Sequence, residues 1–287
     1  MPRVAQQYLG PYRLLNLIRT GKTCQVWEAM RDSSQQRVAL KVLVDDYLKD
    51  RDEIASMRNE YTVGKTLDHP RVIHVYDMDQ DPTYCYMAME MCQAPNIKQH
   101  IHQGVELLFP RLKRIVREAS EGLAYFHSKG WIHRDIKPDN FLLPATGSVK
   151  LIDFALGQRA RSGVWKLLPG GKSSAIQGTR SYMSPEQIRC AALDARADIY
   201  SFGCMLHELL GGKPPFTGSS TNDLLNKHLR SPPPSVQGAN RNVTDACASL
   251  IKRMLAKDPK GRPASMDEAL IEWNRIEIFK EPPPDSE

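Results

Sequence analysis

Five short runs in the first third of the chain carry apolar positions at strand spacing: LLNLI at 14–18, CQVWEA at 24–29, RVALKVLV at 37–44, VIHVYDM at 72–78 and YCYMAME at 84–90. That pattern predicts half-buried β-strands. Over 45–67 the spacing of charged and apolar residues turns helical, and His69 followed by Pro70 is expected to end that helix, because proline cannot continue the hydrogen-bond ladder. After Asn96 long helical stretches are predicted near 110–130, 194–211 and 244–256. Gly and Pro cluster at 211–218 and 231–238, which reads as loops, and EPPPDSE at 281–287 reads as an extended tail or a linker. A sheet-rich segment with one helix therefore precedes a mainly helical one.

A chain of 287 residues that is 41% hydrophobic can bury one large core or two modest ones, so a single globular unit of one or two lobes is expected. The 39 basic and 33 acidic residues are interspersed, which gives a mildly basic, solvated surface in place of the clustered basic face a nucleic-acid binder needs. Cys24, Cys85, Cys92, Cys190, Cys204 and Cys247 form no CxxC pair, so neither a zinc site nor a disulfide framework is indicated, and a reducing, cytoplasmic setting is expected. The chain shows neither the pattern of a signal peptide nor a membrane-spanning run.

The chemistry concentrates in HRDIKPDN at 133–140 and in LIDFA, where Asp153 follows Asp135 by 18 residues and is flanked by apolar residues, as at the end of a buried strand. Phosphoryl transfer from ATP needs an acceptor for the incoming hydroxyl's proton, oxygen ligands for Mg2+ and a cation to offset charge on the transferred group. Asp135, then Asn140 with Asp153, then Lys137 match those needs in order.

These strings resemble the eukaryotic-type (Hanks-type) serine/threonine protein kinases, bacterial members included, over residues 10–275. The resemblance implies an α+β bilobal protein kinase fold. Residues 1–11 would be a lead-in, 12–91 a small β-rich N-lobe, 90–96 a hinge, 97–275 a larger, mainly helical C-lobe, and 276–287 a tail or linker. It implies ATP and Mg2+, with Lys41 of VALKVL holding the α- and β-phosphates and Glu60 pairing with that lysine. GTRSYMSPEQ at 178–187 matches the end of an activation segment, DIYSFG at 198–203 a central helix, and Arg262 the usual partner of Glu186. Lys137 and Thr179 imply serine or threonine acceptors on protein substrates. Met89 would be the gatekeeper, the backbones of Glu90 and Cys92 would meet adenine, and Val26, Ala39 and Leu142 would sandwich its ring, although simple packing explains those apolar positions as well. The Gly21 loop runs into a strand, not a helix, which excludes a dinucleotide-binding reading.

Departures from the family pattern cluster near the nucleotide. RTGKTCQV at 19–26 stands where GxGxxGxV is expected, with only Gly21 retained and Arg19 and Cys24 at the flanking positions. Losing those glycines loosens or reshapes the phosphate clamp, unless Arg19 offers charge in their place. Ala155 replaces the glycine of DFG and is acceptable if its φ stays negative. Gly64 stands where an aliphatic residue fills a stack with Val75, Phe154 and His133. A gap there predicts a loosely held helix and an activity that depends on an activating partner, a dimer or phosphorylation; the alternative is that a neighbour fills the space. Ser162, Ser173, Ser174 and Thr179 follow Asp153, and a phosphate on Ser173 or Ser174 could pair with Arg134, or these serines merely solubilise a loop. The substitutions also keep open a pseudokinase that binds nucleotide or acts as a scaffold. A small-molecule kinase of aminoglycoside type shares the paired aspartates but would not be expected to carry Lys137, SPE and DIYSFG together.

Overall fold

The computed structural model describes residues 8–145, 148–160 and 177–284. Contacts divide these into one unit reaching to Gln93 and including Asp153–Ala155, and a second containing Ala94–Ile152 and everything from Leu156 onward. With a β-rich first unit and a helical second one, the chain has the α+β composition its sequence predicts.

In the first unit, β1 (Tyr8–Leu9), β2 (Tyr12–Thr20), β3 (Cys24–Arg31), β4 (Gln36–Leu43), β5 (Val75–Asp81) and β6 (Tyr84–Glu90) form one antiparallel sheet in the order β1-β2-β3-β4-β6-β5. In a flat sheet the four strand steps from β2 to β5 would span ~19 Å. Yet the hydroxyl of Tyr12 on β2 donates to Asp77 Oδ2 on β5 at 2.8 Å, so the sheet curls back on itself. Ala29, Val38, Leu40, Tyr86 and Ala88 pack with Leu9 and Tyr12 into a buried cluster on one face. The alternate positions Val26, Ala39, Lys41, Met87 and Met89 fall on the other face, as the period of two requires.

The helix α1 spans Arg51–Gly64, shorter than the 45–67 expected. It starts late because Asp50 caps it, accepting from the backbone N–H of Asp52 and Glu53 after a single 3-10 turn at Asp45–Tyr47. Its end is not set by Pro70. Thr66 N donates to Val63 O and Leu67 N to Gly64 O, so the chain has tightened to three-residue spacing well before the proline. Val72 and Ile73, expected within a strand, are buried in a turn in which Val72 N donates to His69 O.

The second unit contains α2 (Ile97–Gln103), α3 (Leu112–Ser128), two short strand pairs made by β7 (Trp131–Ile132) with β10 (Gln158–Arg159) and by β8 (Phe141–Leu142) with β9 (Lys150–Leu151), then α4 (Pro185–Ile188), α5 (Arg196–Gly211), α6 (Thr221–Arg230), α7 (Asp245–Met254) and α8 (Met266–Arg275). Every residue of α5 from Ala197 to Leu210 is buried, Asp198, His207 and Glu208 included, and it stops at Gly212, whose φ of +76° is readily adopted only without a side chain. α8 packs on α3, with the Trp273 indole donating to Lys113 O. Residues 276–281 dock back onto the start of α7: Thr244 N donates to Ile278 O, and Lys280 N to Asn242 O. No helix among the described residues is long and apolar enough to cross a membrane.

Candidate active site

Val26, Ala39, Lys41 and Met89, four of the residues the resemblance assigns to the nucleotide, share one face of the sheet in the first unit. Val26 lies opposite Lys41 across the β3–β4 ladder, Ala39 lies opposite Met89 across β4–β6, and these two rows alternate with the rows that build the buried cluster. Lys41 Nζ meets Glu60 Oε2 of α1 at 2.6 Å, with the lysine side chain 21% exposed and the glutamate 5%. Burial alone would pull the lysine pKa down, but Glu60 and Asp153 outweigh it and hold Lys41 above its ordinary value. Burial pushes the Glu60 carboxyl up, with Lys41 opposing. The Glu90 amide is committed to His74 O at 2.7 Å. Gly21 closes the turn between β2 and β3, its N–H donating to Cys24 O at 2.8 Å.

Gly64 leaves no gap. A Cβ built there would lie 2.4 Å from Val75 Cγ2 and 3.3 Å from Phe154 Cδ2, so these neighbours fill the space a side chain would take, the alternative set out above. The inference of a loosely held helix thus loses its premise. Asn59, on the same helix, donates from Nδ2 to Ala155 O at 2.8 Å and ties α1 to the segment carrying Asp153. Ala155 is not among the non-glycine residues with positive φ, so it meets the condition set for it above, whereas Asp153 has φ +67°. A left-handed aspartate is a small strain of the kind found where function fixes the backbone.

In the second unit, His133–Asn140 folds into irregular backbone held by a buried acid. Asp198, at the head of α5 and fully buried, accepts from His133 N at 2.7 Å, Arg134 N at 2.8 Å and His127 Nε2 at 2.8 Å. Burial would raise this carboxyl, but His127, His133 and that backbone donor prevail and hold its pKa below the usual range. Arg134 has φ +71°, unfavourable for a residue with a Cβ. It is fixed from both sides, because its N–H donates to Asp198 and its carbonyl accepts from Gln187 Nε2 at 2.7 Å. Asp198 and Gln187 were missed as site-building residues. The signal for Asp198 was a lone carboxylate at the head of an apolar helix.

Around Asp135 three donors converge: Lys137 Nζ on Oδ2 at 2.6 Å, Thr179 N on Oδ1 at 2.8 Å and Asn140 Nδ2 on Oδ2 at 3.3 Å. An ionised carboxylate offers about four lone-pair sites, so one remains for a further donor. Lys137 Nζ also reaches Thr179 Oγ1 at 2.7 Å, and Asn140 Nδ2 reaches Asp135 O at 2.8 Å. Leu142 pairs with Lys150 and bridges to Asn96. Glu186 and Arg262 form a two-pronged buried pair at 2.6 and 2.9 Å, and the guanidinium also donates to Arg196 O and Ala256 O. Ser162, Ser173 and Ser174 lie outside the described residues.

The donor set is compatible with Mg2+. Asn140 turns its Nδ2 toward Asp135, which directs its carbonyl oxygen elsewhere, and that oxygen, like the carboxylate of Asp153, is a hard donor of the kind this ion takes. Among the described residues no three His, Cys, Asp or Glu side chains gather as a metal cage. A Mg2+ ion whose shell is completed largely by phosphates and waters does not need one.

A strand lysine paired with a helix glutamate is what the sequence resemblance implies, and comparison with known proteins bears the family out. The family model described as protein kinase domain matches residues 12–273. The chain belongs to that family. It is 32% identical to a probable serine/threonine-protein kinase of Streptomyces coelicolor over 92% of its length, and 30% identical to the serine/threonine-protein kinases PrkC of Bacillus subtilis over 89% and PknB of Mycobacterium tuberculosis over 92%. The matches cover 39%, 39% and 42% of those proteins, so the chain spans about two fifths of the length of the curated relatives it matches.

Proposed function

We propose that the chain is an ATP-dependent serine/threonine protein kinase that transfers the γ-phosphoryl group to hydroxyls of protein substrates. The observation that carries this reading is the Asp135 carboxylate, oriented by Lys137, Thr179 and Asn140 with one acceptor position left. In this reading that position receives the substrate hydroxyl, and Asp135 takes its proton. Lys41, fixed by Glu60, orients the α- and β-phosphates, and Lys137 offsets charge on the moving group. Asn140 and Asp153 would hold Mg2+, which when bound neutralises phosphate charge. Val26, Ala39, Met89 and Leu142 would enclose adenine, with the backbones of Glu90 and Cys92 as its hydrogen-bonding partners.

Regulation by phosphorylation belongs to the same proposal. Arg134 Nε is buried without a hydrogen-bond partner among the described residues, and burial lowers the pKa of this guanidinium, so an arriving phosphate would relieve an unmet donor. Mass spectrometry of active enzyme in which Ser173 and Ser174 are both unmodified would end the regulatory part of the reading.

Incubation with labelled ATP, Mg2+ and a generic basic protein tests the reaction. Asp135→Asn is expected to lower transfer by about 10²–10⁴-fold, the range for a general base, while ATP still binds. Wild-type protein that binds ATP and transfers nothing would instead favour the nucleotide-binding scaffold, for which Arg19 and Cys24 in the phosphate loop argue.

A further inference from the structure

We propose that Arg19 is a phosphate-binding residue for the nucleotide, supplying by side-chain charge what a loop short of glycines does not offer through its backbone; this rests on the kinase reading. The ladder between β2 and β3 carries an irregularity at Ile18: Leu17 lies opposite Trp27, and Arg19, two residues on, lies opposite Val26, the very next residue of β3. Without that extra residue Arg19 would lie opposite Gln25 and face the other way. Val26 in turn lies opposite Lys41. The irregularity therefore brings Arg19, Val26 and Lys41 into one row on one face, with about 10 Å separating the two cationic positions at the usual strand spacing.

Two further observations give that placement a purpose. The turn that follows is closed on itself, with Gly21 N donating to Cys24 O at 2.8 Å and Val44 N to Thr23 O at 3.0 Å, so the amide of the one retained glycine is committed inside the protein. The charge on this face is also spoken for: Lys41 is paired with Glu60, and Asp153 contributes a second carboxylate to its field. Lys41, Glu60 and Asp153 together carry one negative charge, a poor reception for a triphosphate. Arg13, Arg31 and Arg37 on the same sheet pair with Asp32, Asp77 and Glu28, whereas exposed Arg19 has no acidic partner among the described residues. A guanidinium presents a fork of donors matched to phosphate oxygens, and it stays charged at any working pH.

Dissociation constants for ATP, ADP and adenosine, measured calorimetrically in EDTA so that no metal shields the phosphates, test this with the wild type, Arg19→Gln and Arg19→Lys. Arg19→Gln is expected to weaken ATP about tenfold, as loss of a charge-assisted hydrogen bond does. Adenosine should be unchanged, and Arg19→Lys should fall between the two. Equal ATP affinity in wild type and Arg19→Gln would overturn the proposal while leaving the kinase reading in place. Adenosine weakened as much as ATP would overturn it too, by showing that Arg19 only packs. A wild type that binds no ATP would sink the kinase reading and this proposal together.

Discussion

The two units hold their functional residues by different physics. In the first, Val26, Ala39, Lys41 and Met89 are placed by strand register, so a period of two sets which side chains share a face, and one irregularity at Ile18 is enough to redirect Arg19. In the second, Asp135, Lys137 and Asn140 sit on irregular backbone, and their geometry depends on a few buried polar groups recruited from distant helices, above all Asp198. The contrast explains where the departures from the family pattern fall. A ladder tolerates substitution at a turn such as 19–24, because neighbouring pairs keep the register. A loop held by single buried hydrogen bonds has no such reserve.

The sharpest way to break the comparison is to remove the clasp. Asp198→Ala strands the amides of His133 and Arg134 and the ring of His127 in a dry interior, and is expected to cost about 3–5 kcal/mol of stability. Chemical denaturation read separately for the sheet, through the Trp27 environment, and for the helical unit should show the loss concentrated in the latter. Loss shared equally between the two would contradict a division of labour.

A pH titration sharpens the same contrast. His228 is fully buried, its Nδ1 3.0 Å from the Tyr200 hydroxyl, and burial, with help from the Lys257 charge, lowers its pKa to about 4. The unfolded chain then binds a proton that the folded one refuses, so stability is complete above the unfolded value of 6.5 and declines as pH falls toward 4. The full cost is about 3 kcal/mol at ~1.4 kcal/mol per pKa unit. Urea midpoints at pH 7.5, 5.5 and 4.5 should fall in the wild type and fall less in His228→Gln. Parallel curves would remove His228 from the explanation.

In the first unit the corresponding weak point is steric. Gly64→Ala drives a methyl to within 2.4 Å of Val75 Cγ2, and overpacking of this kind costs about 1–3 kcal/mol, more than the roughly 1 kcal/mol that alanine gains over glycine in a helix interior. Thermal stability should drop, ATP affinity should weaken as α1 carries Glu60 away from Lys41, and Val75→Ala should restore both. A stabilised Gly64→Ala would mean the close approach is not rigid.

What the sequence disclosed follows the same divide. Strand alternation located the five main strands of the sheet to within a few residues, because the period is local. Helix ends were less legible: the cap at Asp50 cut α1 short, and α2, α6 and α8 went unseen although Asn96 with Gln99, Ser220, and Ser265 with Glu268 are capping residues at their starts. Short amphipathic helices offer too few turns for periodicity to register. Gly64 was left between two readings for another reason. Whether a missing side chain leaves a void depends on its neighbours in space, and here Val75 fills it. The motifs around Asp135 were legible as strings, but the hydrogen bonds that give them shape, to Asp198 and from Gln187, span 65 and 53 residues, and no local pattern encodes them.

The smallest expected effect probes how finely those bonds tune the site. Thr179 contributes twice, through its amide to Asp135 and its hydroxyl to Lys137 Nζ at 2.7 Å, and only the second depends on the side chain. Thr179→Val keeps shape and amide but withdraws the hydroxyl, leaving Lys137 to Asp135 alone. A hydrogen bond from an ammonium is worth about 1.5 kcal/mol at the low end, which corresponds to a roughly tenfold fall in kcat, with KM for ATP unchanged and Thr179→Ser close to wild type. If Val and Ser were equally active, the lysine would be held by Asp135 without help, and positioning in the helical unit would rest on fewer bonds than its geometry implies.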